Sequence, residues 1–478
     1  MREALEHYLA DASRRGPVPE AGHTGSAGGA PCGDLVRISL LVSDGRVARV
    51  THAAEGCAAA RAAGAAAAEV ADGNRLLDVA RIGPEEIADE LGGLAGTHRH
   101  AADLAADALH RALSAVARSG ELLADPPGRG RPRVLVALSG GVDSAVAALF
   151  ARQRGAEVVA VTLKLWADRR TDGERSCCSP EAVVSARRVA HSLGIPHLTL
   201  DLEPEFRAGV VTPFIEGYAA GRTPNPCVLC NGEVRIDAMI ALADRVGAEA
   251  LATGHYADLR DDGEGPLLAQ PADAAKDQTY MLAALAPSSL RRLRFPLAAI
   301  TKAEVRETAG RHRLEVAGRA ESQDLCFLAG QGKRAFLREH AGLDDRLGEL
   351  VDPGGEVLGE HRGHHNFTIG QRRGLGVASH EPLYVLQTDA ASNRVTVGPR
   401  EALATDRLRI RGARLHRRPE RVKAARLRYH ARSHACQVEP GADGEATIAF
   451  GEPVGRVAPG QLACLMDGDL VVGHGTVA

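Results

Sequence analysis

The chain has 478 residues, which at about 150 residues per domain predicts about three domains and excludes a single small module. Hydrophobic residues make up 45% of it and charged residues 25%, and the mean hydropathy is -0.14, which is typical of a globular protein. The 58 lysines and arginines against 61 aspartates and glutamates exclude an overall basic surface. No apolar run approaches the ~18 residues of a membrane span, so we expect a cytoplasmic protein with no membrane partner.

Two compositional breaks divide the chain, one at the Pro- and Gly-rich residues 125–132 and one near Gly330. An alanine-rich segment with strands and helices precedes the first break. Between the breaks, apolar strands alternate with helices, which predicts an α/β domain with a parallel sheet. Short β-branched runs follow the second break. We therefore predict an α+β domain at 1–120, a linker at 121–132, the α/β domain at 133–330, a small central domain at 331–402 and a β-barrel at 403–478.

The sequence SGGVDS at 139–144 lies where an apolar strand ends and a helix begins. Glycines there let successive backbone N–H groups turn inward around an anion, and the helix dipole adds favourable potential. The hydroxyls of Ser139 and Ser144 can donate to phosphate oxygens. The alternative is a plain strand-to-helix turn, but the apolar strand and the serine pattern favour a phosphate-binding loop.

This loop resembles the pyrophosphate loop of the ATP pyrophosphatases, which cleave ATP between the α and β phosphates. Further motifs, in order over residues 133–477, resemble the tRNA-specific 2-thiouridylase family. They are LKLW at 163–166, GRTPNP at 221–226, LCN at 229–231, ATGHY at 252–256, KDQTY at 276–280, FP at 295–296, SQDLCF at 322–327, TIGQR at 368–372, RY at 428–429 and PGQ at 459–461.

The resemblance implies an enzyme, a tRNA-uridine 2-sulfurtransferase, that uses ATP to adenylate C2 of the wobble uridine and then transfers sulfur to give 2-thiouridine. The implied ATP-binding residues are Ala137, Leu138, Ser139, Gly140, Gly141, Val142, Asp143, Ser144, Leu163 and Gly254. Magnesium should accompany ATP, with Asp143 as the nearby carboxylate. The implied tRNA-binding residues are Asn225, Pro226 and Cys227 at the target base, and Lys276, Asp277, Gln278, Arg428 and Tyr429 elsewhere.

The implied partners are the tRNAs for Lys, Glu and Gln, together with a sulfur donor such as a cysteine desulfurase or a sulfur carrier. Residues 407–432 support the tRNA hypothesis, because they contain ten arginines and one lysine against the single Glu420. Such a segment suits a phosphate backbone, and Tyr429 can stack on a base. Taken alone, a run of this kind is more often a solvated face.

Three of the nine cysteines carry the sulfur chemistry in this interpretation. Cys230 and Cys326 match the two working cysteines of the family, one of which carries a persulfide that the other resolves. Most members have an aspartate where this chain has Cys227. Three thiols also suit a [4Fe-4S] cluster with one open iron, so a cluster and a persulfide relay both stand as hypotheses. The alternative for Cys227 is a small apolar replacement with no role in the chemistry.

The other cysteines after residue 133 have no predicted role in the reaction. The neighbouring Cys177 and Cys178 are expected to be packing residues ahead of a helix. Cys436 and Cys464 lie in strand-like runs and are expected in the core.

The first 120 residues resemble the NifU/IscU-type iron-sulfur scaffold, on PCGD at 31–34, EGC at 55–57, LGGL at 91–94 and HRH at 98–100. In that family three cysteines and an aspartate hold a nascent cluster or zinc. Cys32, Asp34 and Cys57 match, but Ala101 stands in place of the third cysteine. His100, or alternatively His98, is a candidate replacement ligand, so an iron-sulfur or zinc site is one hypothesis and a docking module without metal is the other.

A scaffold joined to the catalytic domain by a short linker would present its cargo at high effective concentration. Two other functions are also compatible with the sequence. One is an iron-sulfur or sulfur carrier whose phosphate loop only senses nucleotide. The other is an ATP pyrophosphatase that acts on a small metabolite, which would have no need of the basic segment.

Overall fold

The computed structural model describes residues 2–29, 33–121, 123–124, 130–166, 180–319, 325–328 and 331–478. Cys32, Cys177 and Cys178, the predicted break at Gly330 and half of the predicted linker lie outside these ranges. Within them, no helix is long and apolar enough to cross a membrane.

The amino-terminal segment is an antiparallel sheet in the order β1-β2-β3 with helices packed against it, which confirms the α+β expectation. Its elements are α1 (Arg2–Ala10), β1 (His23–Gly28), β2 (Leu35–Ser43), β3 (Arg46–Glu55), α2 (Ala58–Ala71), α3 (Leu76–Val79), α4 (Pro84–Glu90) and α5 (Arg99–Arg118). Most of α2 is alanine, which favours helix and lets α2 lie close to β3 and α5.

The segment that follows contains a five-stranded parallel sheet in the order β10-β7-β4-β5-β6, which confirms the α/β prediction. Its strands and longer helices are β4 (Arg133–Ala137), α6 (Val142–Gln153), β5 (Glu157–Lys164), α7 (Pro180–Ser192), β6 (His197–Asp201), α11 (Ala238–Arg245), β7 (Ala250–Ala252), β10 (Leu293–Arg294) and α14 (Lys302–Arg311). Short helices α8 (Glu203–Phe206), α9 (Thr212–Ala219), α10 (Pro226–Leu229), α12 (Thr279–Leu282) and α13 (Pro287–Arg292) connect them. Loops after parallel strands meet at one sheet edge, where α/β proteins bind ligands.

The rest of the chain forms a small sheet and a barrel. After α15 (Gly332–Ala341), the central sheet has the order β12-β11-β14-β13, from β11 (Leu347–Val351), β12 (Val357–Arg362), β13 (Tyr384–Asp389) and β14 (Arg394–Gly398). The predicted barrel is confirmed: six strands close through a β15–β20 pairing. They are β15 (Ala404–Leu415), β16 (Ala424–Arg426), β17 (His434–Pro440), β18 (Ala446–Gly455), β19 (Leu462–Asp467) and β20 (Leu470–Val477). The hairpin of β8 (Asp258–Asp261) and β9 (Pro266–Ala269) joins this sheet at β20.

The amino-terminal segment is docked on the parallel sheet, which differs from a domain held only by a linker. A single hydrophobic cluster runs through both segments. The backbone N–H of His197, at the start of β6, donates to Ala80 O at 3.0 Å, and the buried Arg187 reaches Asp107 of α5 at 3.4 Å. Helix α5 covers the edge strand β6 along these contacts. The sequence does not predict this interface, because the residues that form it are scattered along the chain and share no local pattern.

Candidate active site

The loop between β4 and α6 forms a tight turn that is locked by its own serine. Ser144 Oγ donates to Gly141 O at 2.9 Å and accepts from Ser139 N at 3.1 Å. Ser144 is 5% exposed, so its hydroxyl holds the turn, whereas Ser139 is half-buried. The turn leaves the first N–H groups of α6 at the sheet edge, which is the arrangement that an anion requires.

The other two predicted ATP-binding positions lie at the same edge. Leu163 belongs to the last residues of β5, and Gly254 follows β7. A Cβ atom on Gly254 would lie 2.7 Å from Ser144 N, so only glycine lets this loop approach the phosphate loop so closely.

Asp143, in the first turn of α6, has two partners that the sequence did not reveal. Lys302 Nζ lies 2.7 Å from both carboxylate oxygens, and Tyr256 Oη donates to Oδ1 at 2.9 Å. Lys302 is 9% exposed and is the first residue of α14, after the Thr301 cap. The charge of Asp143 is therefore balanced by a lysine. Only the capping box marks this helix start in the sequence, and it says nothing about where the lysine points.

The loop at 221–230, here named the CxxC loop, ends in a helix that begins at Asn225. Asn225 Oδ1 accepts from Cys227 N at 3.2 Å and from Val228 N at 3.4 Å, and Pro226 occupies the first helical position, where its missing N–H costs nothing. Cys227 is half-buried and Cys230 is 6% exposed. The loop thus holds one accessible and one buried thiol within a single turn of helix.

Cys326 is half-buried and packs against the same hydrophobic cluster that contains Cys230. The neighbouring Phe327 stacks edge-to-face on Phe214 at 5.1 Å between ring centroids, which fixes this segment against α9. No disulfide joins the six cysteines within the described ranges. In the same ranges the three thiols do not form a group with all sulfurs within 4.8 Å, so they are not arranged for a single metal ion.

A series of hydrogen bonds links the phosphate loop to the CxxC loop. Tyr256, which contacts Asp143, donates its N–H to Gln278 Oε1 at 2.8 Å and accepts from Gln278 N at 2.9 Å. Helix α12 begins at the next residue. Its Met281 O accepts from Asn231 Nδ2 at 3.2 Å, next to Cys230. The elements predicted to activate ATP and to carry sulfur therefore lie on one connected framework.

One member of the predicted tRNA-binding triplet at 276–278, Asp277, is buried. Asp277 Oδ2 lies 2.7 Å from Arg426 Nη1 of β16, and both side chains are 8% exposed. Gln278 binds Tyr256, as described above. Lys276 and Gln278 are both half-buried. Two of the three therefore hold the barrel and the loops in place.

Tyr429 is 37% exposed and lies within electrostatic range of this region. Burial raises its pKa, Asp277 and the Cys227 thiol raise it further, and Lys276 lowers it. Its neighbour Arg428 contacts Arg456 O at 3.3 Å. Tyr429 is thereby near Lys276, Asp277 and Cys227 of the predicted tRNA-binding residues.

The basic segment at 407–432 has less unpaired positive charge than its sequence suggests. The exposed positions of β15 include several of its arginines. Five arginines of the segment are paired with carboxylates. The pairs are Arg407 with Glu439, Arg411 with Glu445, Arg417 with Asp262, Arg421 with Asp262 and Asp467, and Arg426 with Asp277. The local excess of ten positive charges is therefore roughly halved by partners that are distant in sequence.

The amino-terminal segment brings Asp34, Cys57 and His100 together, with one ligand atom of each within 4.8 Å of the others. Cys57 Sγ lies 3.3 Å and His100 Nε2 3.0 Å from Asp34 Oδ2. The backbone N–H of Cys57 donates to Asp34 at 2.7 Å and lowers the pKa of that carboxyl. A Cβ on Gly56 would lie 2.1 Å from Asp34 Oδ1. Ala101 is fully buried and offers no ligand.

Four family models match the chain in order. They are the NifU-like N terminal domain over residues 1–120, the tRNA methyl transferase HUP domain over 132–330, the tRNA methyl transferase PRC-barrel domain over 334–399 and the aminomethyltransferase beta-barrel domain over 402–477. Among solved structures, a 4-thiouridine synthetase in an RNA complex with bound ATP is similar, at 22% identity over 42% of this chain and 46% of that chain, with a TM-score of 0.29.

Curated relatives cover nearly the whole chain. The bifunctional protein NifU/MnmA of Rubrobacter xylanophilus is 45% identical over 99% of this chain and 97% of its own. The tRNA-specific 2-thiouridylase MnmA of Acidobacterium capsulatum is 44% identical over 72% of this chain and 98% of its own. The chain therefore belongs to the family of tRNA-specific 2-thiouridylases, in a form that carries a NifU-like domain ahead of the thiouridylase body.

Proposed function

We propose that this protein is an ATP-dependent tRNA 2-thiouridylase that adenylates C2 of the wobble uridine and replaces its oxygen with sulfur. The observation that carries the proposal is the framework from Asp143 through Tyr256 and Gln278 to the CxxC loop. It connects the turn after β4 to the loop that carries Cys227 and Cys230, which supports a common site for ATP and sulfur. An enzyme that must activate an oxygen and then deliver sulfur to the same carbon needs that proximity.

In the first half-reaction, the phosphate loop binds the phosphates of ATP through the N–H groups at the start of α6. The C2 oxygen of uridine attacks the α phosphate, and pyrophosphate leaves. Lys302 lies beside the loop and adds positive charge where the pyrophosphate develops. Mg²⁺ entering with ATP would supply further neutralisation, and Asp143, the carboxylate of the loop, would hold it once its two oxygens exchange the Lys302 ammonium for the ion.

In the second half-reaction, a persulfide on one of Cys230 and Cys326 provides the nucleophile. Its terminal sulfur attacks C2, and AMP leaves with the former C2 oxygen. The other cysteine then attacks the inner sulfur of the persulfide, so a Cys230–Cys326 disulfide forms and the thiocarbonyl remains on the base. A protein donor supplies the persulfide, and a thiol reductant restores both cysteines. With Cys227 as a third thiol, the set also suits a [4Fe-4S] cluster, which would supply sulfide at an open iron.

The surface around the CxxC loop supports a tRNA substrate. Tyr429 lies within electrostatic range of both Lys276 and the Cys227 thiol, and Arg428 precedes it in the chain. Strand β15 of the same barrel carries further exposed arginines. Asn225 to Cys227 would face the target base. We place the protein in the cytoplasm, where it would act on the tRNAs for Lys, Glu and Gln and receive sulfur from a cysteine desulfurase or a sulfur carrier.

The amino-terminal group of Asp34, Cys57 and His100 fits a metal ion. A carboxylate, a thiol and an imidazole at these distances form a ligand set that suits zinc, and Cys32 is the matching fourth residue. With Ala101 in place of the third cysteine, the site has one thiol fewer than an iron-sulfur scaffold. We therefore propose zinc as the first occupant to test, with an iron-sulfur cluster as the alternative.

Nucleoside mass spectrometry of tRNA tests the proposed activity. Cells lacking the protein should lose 2-thiouridine, and complementation should restore it with the wild type but not with Cys230→Ala. Cys436→Ala is the matched control, because that thiol is buried in the barrel away from the site. Unchanged 2-thiouridine in the deletion strain would reject the enzyme and favour a carrier with a nucleotide-sensing loop.

Metal analysis of the purified full-length chain tests the amino-terminal site. After equilibration with zinc and gel filtration, the wild type should retain about one zinc per chain, and Cys57→Ala should lose it. Cys464→Ala, which removes a fully buried barrel thiol, serves as the control. Equal zinc content in the wild type and Cys57→Ala would contradict the site.

A further inference from the structure

One turn of the barrel binds both main-chain groups of a residue in the CxxC loop. Thr223 N donates to Pro459 O at 2.8 Å, and Gln461 Nε2 donates to Thr223 O at 2.7 Å. Between them, Gly460 brings the turn so close that a Cβ there would lie 3.2 Å from the Thr223 carbonyl. The loop is therefore held through its backbone, independently of the side chain at position 223.

The loop is fixed from a second side by the central sheet. Thr388 Oγ1, on β13, donates to Gly221 O at 3.0 Å. These two anchors lie two residues apart, just before Asn225 starts the helix that carries Cys227 and Cys230. Gly221 N and Arg222 N also donate to carbonyls at the end of α9, and beyond them the loop takes its position from two segments outside the α/β sheet.

We propose that Gln461 is a positioning residue for sulfur transfer, acting with Thr388 to hold the CxxC loop at the distance from C2 that attack requires. The inference rests on the proposed function. Neither side chain touches the thiols, so each acts through the loop backbone. A displacement of the nucleophile by about 1 Å is enough to slow a reaction by up to about a hundredfold, whereas the phosphate loop lies on β4 and does not depend on this anchor.

The test compares pyrophosphate release with 2-thiouridine formation in single-turnover reactions of the full chain with tRNA, ATP and a sulfide or persulfide source. Gln461→Leu removes the amide donor and keeps a similar side-chain volume. We expect about a tenfold lower yield of 2-thiouridine per pyrophosphate released, with the KM for tRNA within about twofold of the wild type. Gln437→Leu, at an exposed position on β17 of the same barrel, should leave the ratio unchanged.

A second variant keeps the test decisive if Gln461→Leu folds poorly. Thr388→Val removes the other anchor and should also lower the ratio. If the ratio stays at the wild-type value in both variants, or if both products fall in parallel, Gln461 and Thr388 do not position the loop. A wild type that releases pyrophosphate but forms no 2-thiouridine would instead overturn the proposed function.

Discussion

Replacing Arg426 with methionine should release the barrel from the ATP-binding segment, because it leaves a buried carboxylate without its partner. Arg426 Nη1 lies 2.7 Å from Asp277 Oδ2, and both side chains are 8% exposed. Breaking such a pair costs about 3–5 kcal/mol. Asp277 keeps its bonds from Thr279 N at 2.9 Å and Thr279 Oγ1 at 2.6 Å, so we expect the lower end, about 3 kcal/mol.

Hydrogen exchange measured by mass spectrometry reports this loss locally, without requiring two-state unfolding of a chain with several domains. Strand β16 pairs with β17 and β19, so its amides exchange only when the barrel opens there. A loss of about 3 kcal/mol corresponds to exchange faster by about a hundredfold. The matched control is Arg407→Met, whose partner Glu439 and own side chain are 57% and 55% exposed, and which should cost at most about 1 kcal/mol.

Equal exchange in β16 for the two variants would refute the argument that burial, and not charge alone, gives the pair its importance. The double variant Asp277→Leu, Arg426→Met provides a further check. It leaves no unpaired charge, so it should recover part of the protection that Arg426→Met loses. A double variant that loses the sum of the two single effects would show that the two side chains act independently.

Two further predictions follow from close contacts. Gly254→Ala should weaken ATP binding, measured by equilibrium dialysis, by about tenfold or more, because the added Cβ would displace Ser144 N. The control is Gly310→Ala, whose Cβ meets no atom within 4 Å and which should bind ATP normally. The second prediction concerns the docking of the amino-terminal segment on the parallel sheet. Burial lowers the pKa values of His110 and His197 well below 6.5, so the undocked form binds more protons than the docked form. Docking should therefore weaken as the pH falls through about 6.5. The protection of the α5 amides, corrected for the slower intrinsic exchange at low pH, should then fall between pH 7.5 and 5.5, with a smaller fall in His110→Leu; a protection that is independent of pH would contradict this.

Much of the site follows from local sequence. The phosphate loop, the Asn-Pro start of the helix in the CxxC loop and the alternating strands and helices are set by neighbouring residues, through backbone conformation, capping and hydrophobic pattern. Cys436 and Cys464 are buried as expected. The pairing of Lys302 with Asp143 was missed, because it joins residues that are 159 positions apart and neither carries a local signal.

The sequence by itself determined the order of the segments, their fold classes and the family, because these depend on local patterns and on motifs read in order. Only the tertiary structure decided which charges face solvent and which domains are in contact. The overall near-neutral charge conceals a basic segment, and half of the arginines in that segment are themselves paired with distant carboxylates. Likewise, the amino-terminal segment packs on β6 through contacts between residues that are distant in the sequence. Long-range burial sets these features, and no local pattern encodes it.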